Sequence, residues 1–325
     1  RILTLLIAVI TLMMILQSTG HKHIHADYFM ISLFSRVVQC SDKGVDRVPY
    51  GIPYNARYIL LMNNHIDSIQ LDLLNEYVSM DLGNGSESLP NAVLSPLCNL
   101  RTLNLDHNQL TSVPQGLPLS IKELYLKGNL IGQFRGGAFN GVSELLVLDL
   151  SANRLTNKGL LRESLLNATH LESLNLEGNR LKQVPRHLPR SLKTLNLEGN
   201  LILSIKKAAF STLKNLEHLG LARNKIFKVA IGAFRTLPVL HQLDLCHNTL
   251  RQVPRQLPQG LHSVALSNNK IQSVPRDAFC WGDKSLTLNR VVVLFSFIRM
   301  NPGGFLPKMH QELGNIRKFA HLVKI

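Results

Sequence analysis

One phrase recurs along this chain with a fixed spelling, L-x-x-L-x-L-x-x-N-x-L, and it leaves few folds open. Clear copies are Leu100-Leu103-Leu105-Asn108-Leu110, Ile121-Leu124-Leu126-Asn129-Ile131, Leu145-Leu148-Leu150-Asn153-Leu155 and Leu171-Leu174-Leu176-Asn179-Leu181. They continue as Leu192-Leu195-Leu197-Asn200-Ile202, Leu216-Leu219-Leu221-Asn224-Ile226, Leu240-Leu243-Leu245-Asn248-Leu250 and Leu261-Val264-Leu266-Asn269-Ile271. An earlier copy reads Ala56-Ile59-Leu61-Asn64-Ile66. A degraded one, Tyr77-Met80-Leu82-Gly85, stands between it and Leu100 with Gly in the Asn place. A unit this short cannot bury its apolar face alone, so units must stack to build one continuous core.

The spelling has a physical reading. L-x-L is a short strand whose side chains alternate between core and solvent. Each strand pairs in parallel with that of the next unit. The Asn amide ends the strand and has both donors and an acceptor for backbone in the bend that would otherwise be buried and unpaired. Each Asn is therefore structural. The fold class is α/β: a leucine-rich repeat solenoid, or horseshoe, with a parallel β-sheet on the concave face and a mostly extended, Pro-rich convex side.

Successive Asn ranks from Asn108 to Asn269 are spaced 21, 24, 26, 21, 24, 24 and 21 residues apart, a short-long-long order. Short units carry a V-P-x-x-L-P phrase: Val113-Pro114 with Leu117-Pro118, Val184-Pro185 with Leu188-Pro189, and Val253-Pro254 with Leu257-Pro258. Val48-Pro49 with Ile52-Pro53 precedes the first repeat. Pro fixes φ and lacks a donor, which predicts extended back segments. Longer units carry Gly137-Ala138-Phe139, Ala208-Ala209-Phe210 and Gly232-Ala233-Phe234, where an inward Phe would fill a wider arch. Residues 56–280 read as the repeat domain, of about ten repeats, between an N-terminal segment at 21–55 with an incomplete cap and an atypical tail at 281–325.

Together the short-long-long order, the V-P-x-x-L-P phrase and the A-F phrase resemble the small leucine-rich repeat proteoglycans over residues 40–280. Leu155-Thr156-Asn157-Lys158-Gly159-Leu160 gives a podocan or extracellular-matrix-protein-2 look. The resemblance implies a secreted matrix protein that binds collagen, growth factors or glycosaminoglycan through a non-catalytic surface. Two departures stand out. The family's four-Cys cluster is reduced here to Cys40, and Cys280 resembles the first Cys of a terminal loop whose partner has no counterpart in 281–325. Cys98 and Cys246 are unassigned, with Cys246 read as a free thiol.

Ile2–Leu16 is an apolar run behind Arg1, suited to a signal peptide over residues 1–20 and short for a membrane span. Asn84-Gly85-Ser86 and Asn167-Ala168-Thr169 are glycosylation acceptors, and Asn167 falls in a variable arch where a glycan would not block stacking.

The formal charge of +15 is unevenly placed. Residues 57–179 hold 8 basic and 12 acidic side chains, whereas 180–276 hold 16 basic and 3 acidic. Outward strand positions on the concave face, the expected protein-binding set, are Arg101, Lys122, Glu123, Asp149, Glu172, Lys193, Glu217 and Asp244. The positive excess falls on the edges and convex back: Lys182, Arg186, Arg190, Lys206, Lys207, Lys225, Lys228, Arg251, Arg255 and Arg276. This set is the candidate site for sulfated glycosaminoglycan.

His218, His241 and His262 fall near one another on consecutive strands. The two of a shared rank, His241 and His262, could hold a metal between them only with a nearby acid or third ligand that the spacing does not guarantee, so no metal site is assigned. There is no Gly-rich phosphate loop, nucleophile elbow or paired carboxylates at a strand end. The reading is therefore not an enzyme, with no cofactor, no nucleic-acid partner and no membrane span. Its partners are collagen-like matrix proteins or growth factors, together with sulfated glycan. The alternative is a soluble or truncated ectodomain of a leucine-rich-repeat receptor.

Overall fold

The computed structural model describes residues 30–32, 36–49, 52–53, 55–69, 97–134, 139, 141–160, 165, 168–275, 277–278, 280–281, 284–285 and 290–292. In chain order the strands are β1 Met30–Ser32, β2 Val37–Gln39, β3 Tyr58–Leu60, β4 Thr102–Asn104, β5 Glu123–Tyr125 and β6 Val147–Asp149. They continue as β7 Ser173–Asn175, β8 Thr194–Asn196, β9 Ser204–Ile205, β10 His218–Gly220 and β11 Lys228–Val229. The last are β12 Gln242–Asp244, β13 Ser263–Ala265, β14 Cys280–Trp281, β15 Lys284–Ser285 and β16 Arg290–Val292. Twelve of them form one sheet, ordered β1-β2-β3-β4-β5-β6-β7-β8-β10-β12-β13-β16. Every pair in it is parallel except β1–β2. No α-helix occurs among the described residues.

The Asn rank works as its chemistry predicts. Asn200 Nδ2 donates to Leu176 O in the preceding coil at 2.8 Å and to Leu197 O and Glu198 O in its own, while Oδ1 accepts from Leu181 N at 3.0 Å. Asn108, Asn129, Asn153, Asn179, Asn224 and Asn248 repeat the pattern. The residue before each Asn turns the chain through the left-handed region, as at His107, Ala152, Arg223, His247 and Asn268, or at Gly128, Gly178 and Gly199. The strain at the non-Gly members is held by amide bonds on both sides of the turn.

The arches differ from coil to coil. Phe139, Phe210 and Phe234 point inward and are at most 2% exposed. Phe210 and Phe234 stack with centroids 5.9 Å apart, so the wider units are filled by rings as expected. The Pro-rich phrases are not uniformly extended. Each bends at a left-handed residue, Gly116, His187 or Gln256, which lets the following Leu117, Leu188 or Leu257 turn back into the core. In the longest unit Gly159 passes against the neighbouring arch, where a Cβ would run into the Gly132 carbonyl oxygen. Only Gly permits that approach.

Two features concern the order of the sheet and its ends. First, β3 pairs directly with β4, Ile59 opposite Leu103, and Asn108 bonds across to Leu61 O, so no strand lies between them in the sheet. The degraded copy at Tyr77–Gly85 lies outside the described residues. Second, the sheet extends past 56–280 at both ends. On the N-terminal side the β1–β2 hairpin covers the edge, with Cys40 buried at a Leu rank and Lys43 at an Asn rank, its N–H donating to Asn64 Oδ1. On the C-terminal side β16 adds to β13, with Val291 opposite Val264. Covering edge strands is how solenoids avoid open pairing.

Candidate binding faces

The middle residue of each strand is buried and its neighbours face out, so the concave face is written by the flanking ranks. Glu123, Asp149 and Asp244 lie within β5, β6 and β12, while Arg101, Lys122, Glu172, Lys193 and Glu217 immediately precede strands. Not all are available. Glu172 and Lys193 pair with each other at 2.8 Å, and Lys122 Nζ lies 3.4 Å from Glu144.

The structure adds acids absent from the predicted set. Asp106, Glu177 and Glu198 follow the strands by two residues and join Asp149 and Asp244 in one band. Burial pushes the Asp106 carboxyl up, against a 2.7 Å bond from Lys127 N–H, and Asp149 pushes it further. Burial also raises Glu198; Arg223, 3.0 Å away, opposes this while Glu177 and Asp244 reinforce it. Tyr125 is raised by burial and by Glu123. These like charges are held together by amides: Asn175 donates to Asp149 and Asn196 to Glu177, each at 3.2 Å. The signal was present, since the two positions after L-x-L recur at the same period. An expectation that stops at the last strand residue passes over them.

The His241 and His262 rings meet edge to face at 4.8 Å, whereas His218 is in register with Gln242. Among the described residues no group of three or more His, Cys, Asp or Glu could hold a metal ion. Cys40, Cys98 and Cys246 are free, and burial raises the Cys40 and Cys246 thiols.

The basic set splits in three. Lys182, Arg186, Arg190 and Lys206 converge on one groove of about 900 Å³ between the arches 182–191 and 203–213. Lys207 is exposed beside Lys206 on the same arch, and Lys225, Lys228 and Arg251 are exposed on later coils. Arg255 differs from the rest: its Nε donates to Asp277 at 2.7 Å, so this guanidinium has an ion-pair partner within the fold. Arg276, like the acceptors Asn84 and Asn167, lies outside the described residues; Thr169 of the second acceptor is exposed. No helix among the described residues is long and apolar enough to cross a membrane.

The geometry is that of a display surface of strand-borne and arch-borne side chains. A leucine rich repeat family profile matches residues 98–155, 119–181, 190–250 and 215–265. Zebrafish (Danio rerio) keratocan is 32% identical over 254 residues, covering 76% of this chain and 72% of that protein. The chain belongs to the small leucine-rich proteoglycans. Rattus norvegicus decorin is 33% identical over 75% of the chain and 71% of its own length. Mus musculus podocan is 32% identical over 74% of the chain but 40% of itself. Relatives of several kinds share nearly one identity, so the likeness is to the family rather than to the podocan type. These relatives are leucine-rich matrix proteoglycans and not enzymes, which makes this chain a leucine-rich-repeat matrix protein. A chain of the octameric complex of Latrophilin 3, Unc5D and FLRT2 (LRR) superposes with TM-score 0.69 at 26% identity, covering 80% of this chain and 74% of that one. The Yersinia pestis effector YopM, at TM-score 0.52 and 22% identity over 76% of this chain and 59% of that one, shares the fold alone.

Proposed function

We propose that this chain is a secreted matrix protein that engages a protein partner, collagen-like or a growth factor, on its concave face and a sulfated glycan on its basic half. The observation that supports the first part is the acidic band over β4, β6, β7, β8 and β12, where Asp106, Asp149, Glu177, Glu198 and Asp244 occupy two adjacent ranks of one face. Burial and neighbouring acids raise the Asp106 and Glu198 carboxyls, so the ionised band gains from added positive charge. A cationic partner surface supplies it, adding steering and specificity more than bulk affinity.

Biosensor binding of full-length protein to immobilised collagen and to basic growth factors tests this reading. Charge reversal at Glu123, Asp149 and Asp244 is expected to weaken the contact about tenfold or more. Unchanged binding by the triple variant would remove the concave face from the proposal. Glycan binding is read separately on a heparin column, where attraction by counterion release predicts a steep loss with salt. Export and occupancy of Asn167 are checked by expression in a secretory cell and deglycosylation of the released protein.

The second reading, a receptor-type ectodomain, draws on the likeness to a chain of the Latrophilin 3–Unc5D–FLRT2 complex. Failure to bind matrix proteins combined with binding to cell-surface proteins would favour it.

A further inference from the structure

The position three residues after each repeat Asn forms a column along one edge of the solenoid. In most coils it is small or polar: Thr111, Gly132, Thr156, Lys182, Arg251 and Gln272. In two consecutive coils it is large, apolar and open to solvent, Leu203 at 47% and Phe227 at 57% exposure. They are neighbours, since Phe227 N–H donates to Leu203 O at 3.1 Å and the following residues pair as β9 and β11. The column therefore reads cation, apolar, apolar, cation: Lys182, Leu203, Phe227, Arg251. Leu203 and Lys182 also line the groove that gathers Arg186, Arg190 and Lys206, and no acidic residue lines it among the described residues. Phe227 opens onto an adjoining cavity of about 290 Å³ with Ile231, itself 48% exposed.

The molecule contains its own controls. The three V-P-x-x-L-P arches share one bend, yet the residue after Pro is Gln115 in the first, Arg186 in the second and Arg255 in the third. The first is neutral and the third is answered by Asp277. Only the middle arch, the one beside Leu203, presents a cation with no ion pair among the described residues.

We propose that this edge docks an extended segment of a partner protein in which acidic side chains flank large apolar ones. Contiguous exposed apolar surface rimmed by charge marks interaction sites. A sulfated glycan answers the cations but has no large apolar groups to cover Leu203 and Phe227, whereas an acidic-apolar peptide answers both. At roughly one strand spacing of 4.8 Å per coil, the cations at the two ends of the column lie about 14–15 Å apart. That is the reach of four or five residues of extended chain at about 3.3 Å each. The inference is independent of the concave-face reading, whose residues are on the other side of the strand ends.

Fluorescence polarisation with the full chain tests it, using three probes: a labelled ten-residue peptide with glutamates flanking leucine and phenylalanine, the same peptide with serine at both apolar places, and a heparin-derived oligosaccharide. The first peptide is expected to bind, and the serine peptide to bind about tenfold more weakly. Leu203→Ser with Phe227→Ser should weaken the first peptide about tenfold and leave the oligosaccharide unchanged, whereas Lys182→Glu with Arg251→Glu should weaken both. All four positions are exposed, and far-UV circular dichroism confirms that the variants fold. Absence of peptide binding, equal binding of the two peptides, or a Leu203/Phe227 variant indistinguishable from wild type would each overturn the proposal. Oligosaccharide binding that persists in any of these cases would assign the cations to a glycan.

Discussion

Along the Asn rank, Asn129, Asn153, Asn179, Asn200 and Asn224 make the same bonds to the same backbone positions, coil after coil. Across the arches, Gln115, Arg186 and Arg255 share one backbone position and have three different surroundings. The first side satisfies an obligation, because buried amides and carbonyls must be paired wherever the chain turns inward. The second side has only to close the coil, which a bend, a proline or a ring can each do. Variation there costs little, and the surface differences that distinguish one coil from the next collect on it.

The sharpest break in that comparison is the arch core. Phe210→Ala removes a fully buried ring that stacks on Phe234, and chemical denaturation should show a loss of about 3–5 kcal/mol. A loss below about 1 kcal/mol, the range of a surface substitution, would mean that arch filling does not hold the coils apart. Asn200→Ala strikes the repeating side. It removes four bonds, leaves Leu181 N without its partner and Leu176 O with only Asn179, and should cost about 2–4 kcal/mol by the same measurement. The same substitution at Asn129 or Asn224 should cost nearly the same, since the bonds are the same; a wide spread would show that the ranks are not equivalent.

Asp277→Ala turns the third Pro-rich arch into a copy of the second by freeing Arg255. Later elution from heparin is expected, with a stability loss under about 1 kcal/mol because both partners are partly exposed. Arg255 holds the Asp277 carboxyl below its usual range. The pair's small contribution is therefore present above about pH 4 and is lost as the pH falls through the depressed folded value. Unchanged elution would show that the pair does not mask the guanidinium.

The smallest effect concerns the concave band. Asp106 is raised in the folded state, chiefly by burial, so its ionised form costs stability at neutral pH. Asp106→Asn keeps an acceptor for Lys127 N–H and should gain a few tenths of a kcal/mol at pH 7, a gain that vanishes near pH 4 where the unfolded carboxyl titrates. Thermal melts across pH 4–8 measure it; a gain independent of pH would mean that charge is not the cause.

The sequence by itself determined the coil. Leu at core ranks, Asn at the turn and Phe in the wide arches each answer a local requirement, and a requirement repeated every two dozen residues is written as a period. It also determined which half is basic. What the period could not contain was decided by tertiary structure. β3 pairs directly with β4 although they stand more than forty residues apart in sequence, because register depends on which edge is free and not on spelling alone. Asp277 answers Arg255 from 22 residues away, and Leu203 meets Phe227 across a coil boundary. Whether a charge is open or paired, and whether two apolar side chains make one patch, depends on distances between coils, and stacking alone brings them to a few ångströms.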